Sequence, residues 1–161
     1  EKVAERYEIS PDEVILVNGS DEVLNFAFMA FCDGDHPIVF PDITYGFYSV
    51  FAELNGVEFK EIPLKSDFSV DINDYIGVNK TVFLANPNAP TGIALSVEDI
   101  EKIVKSNPNN VVVIDEAYVD FGAESVTRGR NRKGNERERK NQSKNKTEKL
   151  LCHTKNLLFH S

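Results

Sequence analysis

Tryptophan is absent from this chain, methionine occurs once and cysteine only twice. Cys32 and Cys152 lie far apart with no paired spacing, which excludes a disulfide framework and points to a reducing cytoplasm. Cys152, His153 and His160 fall short of the four ligands of a structural zinc site, so no metal is expected. No apolar run approaches the ~18–20 residues of a membrane span, and no N-terminal signal-peptide pattern is present. No Gly-x-Gly-x-x-Gly follows the first apolar run, which disfavours a nicotinamide-nucleotide module. Internal repeats are lacking too.

What remains is 161 residues, 41% hydrophobic and 27% charged, enough for one domain with a sizeable core. The net charge of −8 hides a division. Residues 1–126 carry 7 Lys and Arg against 23 Asp and Glu, whereas residues 127–161 carry 11 against 3. Thr127–Lys149 contains no Val, Ile, Leu or aromatic residue, so it cannot bury enough apolar surface to offset chain entropy. Leu150, Leu151, Leu157, Leu158 and Phe159 are too few to change that. Two stretches are therefore expected: an acidic domain over 1–126 and a basic, low-complexity tail over 127–161, disordered or unrelated in origin. Arg128, Arg130, Arg132, Lys133, Arg137, Arg139 and Lys140 form an electrostatic footprint for phosphates. Without stacking aromatics or a recognisable module, specific nucleic-acid binding is not expected.

Along the acidic part, strand and helix signals alternate. Glu1–Glu8 is helix-like, Val14–Val17 is a short apolar run read as a strand, and Val23–Phe31 has helical spacing with Ser20 or Asp21 as its cap. Pro37–Phe40 reads as a strand, Thr44–Leu54 as a helix stopped by Asn55-Gly56, and Val57–Ile62 as a half-buried alternating strand. Thr81–Ala85 and Val111–Ile114 are continuous runs of β-formers, as in central parallel strands covered on both faces. Between them Ser96 caps a helix reaching Ser106. The pattern predicts an α/β fold, a mostly parallel sheet flanked by helices.

Ligands of open α/β sheets bind beyond the carboxyl ends of the strands, and three segments belong there. Asn18–Glu22 offers free backbone N–H groups at a helix start, fit for an anion, although an ordinary helix cap has the same composition. Asn86–Gly92 (NPNAPTG) is an irregular loop with two asparagine amides, and it also reads as a rigid connector. Asp115 follows a buried strand, where an unpaired carboxylate is costly and a protonated ring nitrogen would suit it; a solvated strand-end acid is the plainer reading.

Taken together with Pro41–Tyr48 (PDITYGFY) and Asp115–Tyr118 (DEAY), these segments resemble the fold-type-I pyridoxal-phosphate aminotransferases, nearest to the histidinol-phosphate branch. The resemblance runs from Glu1 to about Val126. It implies part of the large, cofactor-binding domain of such an enzyme, with pyridoxal 5'-phosphate as cofactor. It further implies an amino donor, L-histidinol phosphate, and a 2-oxo acid, 2-oxoglutarate, handled by a cytoplasmic homodimer in histidine biosynthesis. By the same resemblance Ser20, Asp21 and Glu22 hold the cofactor phosphate through their backbone, and Tyr45 stacks on the pyridine ring. Asp115 pairs with the ring nitrogen, and Tyr118 hydrogen-bonds the ring 3-oxygen.

Two departures from the family pattern matter. The residue just before Pro-Thr-Gly usually contacts the 3-oxygen, and here it is Ala89, leaving the neighbouring Asn88 as the candidate. The Schiff-base lysine is not found: Ser143-Lys144 lies in a charged polar stretch that could not desolvate an amine. The small domain is missing as well, so this chain is expected not to transaminate. The alternatives are a non-catalytic scaffold or dimerisation fragment, and an α/β domain carrying a nucleic-acid-binding tail.

Overall fold

A computed structural model describes residues 1–7, 10–126 and 151–152 of the chain. Three runs of β-branched and aromatic residues form the middle of a parallel sheet: β1 (Ile38–Pro41), β3 (Thr81–Ala85) and β4 (Val112–Asp115). With β2 (Phe59–Ile62) and the two-residue β5 (Leu151–Cys152), the strand order is β2-β1-β3-β4-β5, every pair parallel. Ile38 stands opposite both Phe59 and Thr81, and Ala85 opposite Asp115, so the strands end together at one edge.

Because side chains alternate along a strand, each strand feeds two cores. Ile38, Phe40, Phe83 and Val113 pack on one face with α2 (Ser20–Phe31) and α3 (Phe47–Leu54), through Leu24, Phe28, Tyr48 and Phe51. Val39, Val82, Leu84, Val112 and Ile114 pack on the other with Ile100, Ile103 and Val104 of α4 (Val97–Ser106). A first helix, α1 (Lys2–Tyr7), precedes these elements.

The cap of α4 is formed as its sequence predicts: the Ser96 Oγ accepts from the Asp99 N–H at 3.1 Å. Replacing it, Ser96→Ala, is expected to cost about 1 kcal/mol, read as a lower urea midpoint with unchanged slope.

Several expectations are corrected. Val14–Val17 forms no strand, and Ile15 and Leu16 stand 70% and 72% exposed; among the described residues no strand lies beside them to offer hydrogen bonds. Helix α2 is entered through Gly19, not capped by Ser20 or Asp21: Gly19 has φ of 91° and no side chain caps the helix. Such a φ favours glycine. Helix α3 starts at Phe47, later than Thr44, since Gly46 occupies its N-cap position. Strand β2 does not alternate: as the sheet edge it leaves Phe59, Lys60 and Glu61 exposed and buries only Ile62. Apart from these corrections, Leu151 and Cys152 pair with Ile114 and Asp115 of β4. The rest of the tail, with its arginine-rich stretch, Ser143-Lys144, His153 and His160, lies outside the described residues.

Candidate active site

The carboxyl ends of β1, β3 and β4 open onto the segments that the sequence singles out. Asp115 is the last residue of β4, buried to 5% exposure among apolar strand residues. Its Oδ2 accepts from the Tyr48 hydroxyl at 3.1 Å and its Oδ1 from the Ala117 N–H at 3.1 Å. Burial raises its pKa above the usual carboxylate range; these two bonds lower it in part, and the negative charges of Asp21 and Glu116 raise it again. Among the described residues no ion pair reaches Asp115. It is a buried acceptor of the kind that a cation suits.

Tyr45 sits just before α3, and its hydroxyl donates to Asp21 Oδ1 at 2.6 Å, joining the β1 end to the start of α2. Desolvation first, then this bond and the charges of Asp21, Asp115 and Tyr118, push the Tyr45 phenol up to about 12. The four expected residues Asp21, Tyr45, Asp115 and Tyr118 thus share one end of the sheet. Tyr118 is 54% exposed, its ring near Phe121. Ser20 is the first residue of α2, and with no side-chain cap there the leading N–H groups of Ser20, Asp21 and Glu22 face outward from the helix start. The Glu22 carboxylate turns back to the Asn18 N–H at 2.7 Å.

Asn88 is where geometry and expectation part. Its amide is 3% exposed; Nδ2 donates to the Ile43 carbonyl at 2.9 Å and to Thr91 Oγ1 at 3.2 Å. Its Oδ1 accepts from Thr44 Oγ1 at 2.6 Å. One amide hydrogen goes to Ile43 and, with the Thr44 hydroxyl on Oδ1, ties the 86–92 loop to the 42–46 loop; the other goes to Thr91 within its own loop. Ala89 offers no side-chain donor.

Sequence reasoning missed Thr44 as that clamp and Tyr48 as the partner of Asp115. One signal was present for Tyr48: it interrupts a phenylalanine-rich segment, and a buried phenol needs somewhere to put its hydroxyl. It also missed Glu116, 1% exposed, which accepts from Ser125 Oγ at 2.7 Å and from the Val126 N–H at 2.7 Å, closing the loop after β4.

These features bear directly on a pyridoxal-phosphate fit. A buried carboxylate without a cation suits a protonated pyridine nitrogen, and an uncapped helix start suits a phosphate. The Tyr45 hydroxyl is bonded to Asp21 at that helix start, and the Asp115 charge acts on the same phenol. The residues present fit the cofactor.

Comparison with known proteins points the same way. Residues 1–146 match the family described as aminotransferase class I and II, a match that continues twenty residues past the end of the sequence resemblance at Val126. The chain is 52% identical over 124 residues to a histidinol-phosphate aminotransferase of Acinetobacter baumannii, covering 77% of this chain and 34% of that protein. It is 53% identical over 126 residues to histidinol-phosphate aminotransferase 2 of Burkholderia lata, covering 78% and 36%. Among solved structures, histidinol-phosphate aminotransferase from Sinorhizobium meliloti in complex with pyridoxal-5'-phosphate shares the fold. Its TM-score is 0.68 at 22% identity, over 73% of this chain and 34% of that one. The chain spans about a third of the length of the curated relatives it matches.

Proposed function

The chain belongs to the class I and II aminotransferase family, and from that premise we propose that it supplies the cofactor-binding face of a pyridoxal-phosphate-dependent transaminase. The names of the relatives support L-histidinol phosphate as amino donor and a place in histidine biosynthesis. The family resemblance supports 2-oxoglutarate as acceptor and a cytoplasmic homodimer. Met29 and Leu54, 66% and 73% exposed on α2 and α3, support a surface that is covered in the whole protein.

The observation that carries this reading is the buried carboxylate of Asp115 at the strand ends, which no ion pair reaches among the described residues. When bound, pyridoxal phosphate supplies an electron sink for negative charge developing at the substrate α-carbon. Asp115 keeps the proton on the ring nitrogen, because an anion at that point favours the charged ring. The backbone N–H groups of Ser20, Asp21 and Glu22 hold the phosphate, and Tyr45 covers a ring face. Tyr118 donates its phenol to the 3-oxygen. Asn88 contributes indirectly, by keeping the two loops at the rim in place.

The test is titration of the 161-residue chain with pyridoxal phosphate, followed by absorbance and equilibrium dialysis. Saturable, non-covalent binding is expected, with no stoichiometric lysine adduct fixed by borohydride and no turnover. Failure to saturate would overturn the cofactor reading. A site-specific lysine adduct with turnover would overturn the expected inactivity of the chain alone.

A further inference from the structure

A tyrosine set among phenylalanines carries one atom that the apolar wall cannot satisfy. Tyr48 is fully buried, its ring against Phe40 at 5.8 Å and Phe83 at 5.7 Å between centroids. Its edge also meets Tyr45, at 5.7 Å and 76°. The hydroxyl reaches out of this wall to Asp115 Oδ2, 3.1 Å away. One side chain therefore touches the aromatic residue and the carboxylate that make up two walls of the site.

We propose that Tyr48 is a positioning residue of this site, its hydroxyl orienting the Asp115 carboxylate and its ring fixing the placement of Tyr45. The inference rests on the reading of Asp115 as partner of the cofactor's ring nitrogen. A carboxylate held by Tyr48 on one oxygen and by the Ala117 N–H on the other cannot rotate, yet each oxygen keeps a lone pair for a ligand. Phenylalanine at this position would fill the same space and lose only the orientation.

The phenol also favours the ionised carboxylate, against the burial that disfavours it. The other titratable groups facing Asp115 are Asp21 at the start of α2, Tyr45 ahead of α3 and Glu116 beside it. Asp21 and Glu116 work against ionisation, which leaves Tyr48 and the Ala117 N–H as the groups that sustain it.

The experiment compares the 161-residue chain with its Tyr48→Phe variant in two titrations. In the cofactor-free protein, carbon-13 NMR of the Asp115 carboxyl is expected to show its midpoint raised by about one pH unit in the variant. Binding of pyridoxal phosphate, measured by dialysis across the same pH range, should lose affinity at a correspondingly higher pH. At pH values well below the wild-type midpoint the affinity should fall roughly tenfold. Phe83→Leu serves as a packing control: it loosens the same ring contacts and is expected to lower stability without moving either midpoint. Unchanged midpoints in Tyr48→Phe, or an equal shift in Phe83→Leu, would overturn the proposal. A shifted carboxyl titration with no saturable cofactor binding by the wild type would instead overturn the cofactor reading and uphold the coupling.

Discussion

Asp115→Asn is expected to raise the thermal midpoint of the cofactor-free chain at pH 7 while weakening pyridoxal-phosphate binding about ten- to a hundredfold. The two effects have one origin. Burial holds the Asp115 pKa above its unfolded value, so the folded state binds the proton more tightly than the unfolded chain does. Stability is then fully present below the ordinary carboxylate range and is lost as pH rises through the folded value. At neutral pH the wild type bears that cost and the amide does not. Asparagine keeps the shape: its Oδ1 can take the Ala117 N–H, and its Nδ2 can donate to a rotated Tyr48 hydroxyl. What it cannot do is balance a pyridinium charge. Calorimetric scans from pH 3 to pH 8 should show the two proteins diverging as pH rises, and dialysis should show the affinity loss. A variant less stable than wild type at pH 7 would mean that the carboxylate is not under strain in the free protein.

Phe83→Ala carries the largest expected loss of stability. Phe83 is fully buried in the middle of β3, stacked on Phe28 with ring centroids 4.5 Å apart and 25° between planes. Removing the ring leaves a cavity between sheet and α2 that neither backbone can close, at a cost of about 3–5 kcal/mol. Against a total stability of about 5–15 kcal/mol for a domain, that brings the folded state near its limit. The urea midpoint should fall steeply with the slope preserved. A loss below about 1 kcal/mol would show that this face of the sheet is not closely packed. Because Tyr48 leans on the same ring, the variant should also weaken cofactor binding in proportion to unfolding.

Strands β3 and β4 and helix α4 were legible because their signals are local. The run led by Thr81, Val82 and Phe83, and Ser96 three residues before Asp99, say what they are without reference to the rest of the chain. The segments at the strand ends were legible for the same reason, since each is contiguous in sequence. Val14–Val17 failed because an apolar run becomes a strand only when a partner strand lies beside it, and none does among the described residues. The Tyr48–Asp115 bond joins residues on different elements, and no periodicity encodes a contact of that kind. Asn88 shows the same limit from another side. Its residue type suits a ligand contact, while its bonds to Ile43, Thr44 and Thr91 depend on how two loops meet.

The all-parallel order of the sheet has a kinetic consequence. No two neighbouring strands can be joined by a tight hairpin, so residue 38 must find residue 81, and residue 82 must find residue 112, before either pairing is rewarded. Topologies of this kind fold slowly for their size, since loop closure comes ahead of the contacts that repay it. During that interval Phe28, Phe40, Phe51 and Phe83 are all open to water and to other chains. The yield of folded protein will therefore depend on how long that search lasts, with low concentration and slow synthesis favouring the native sheet.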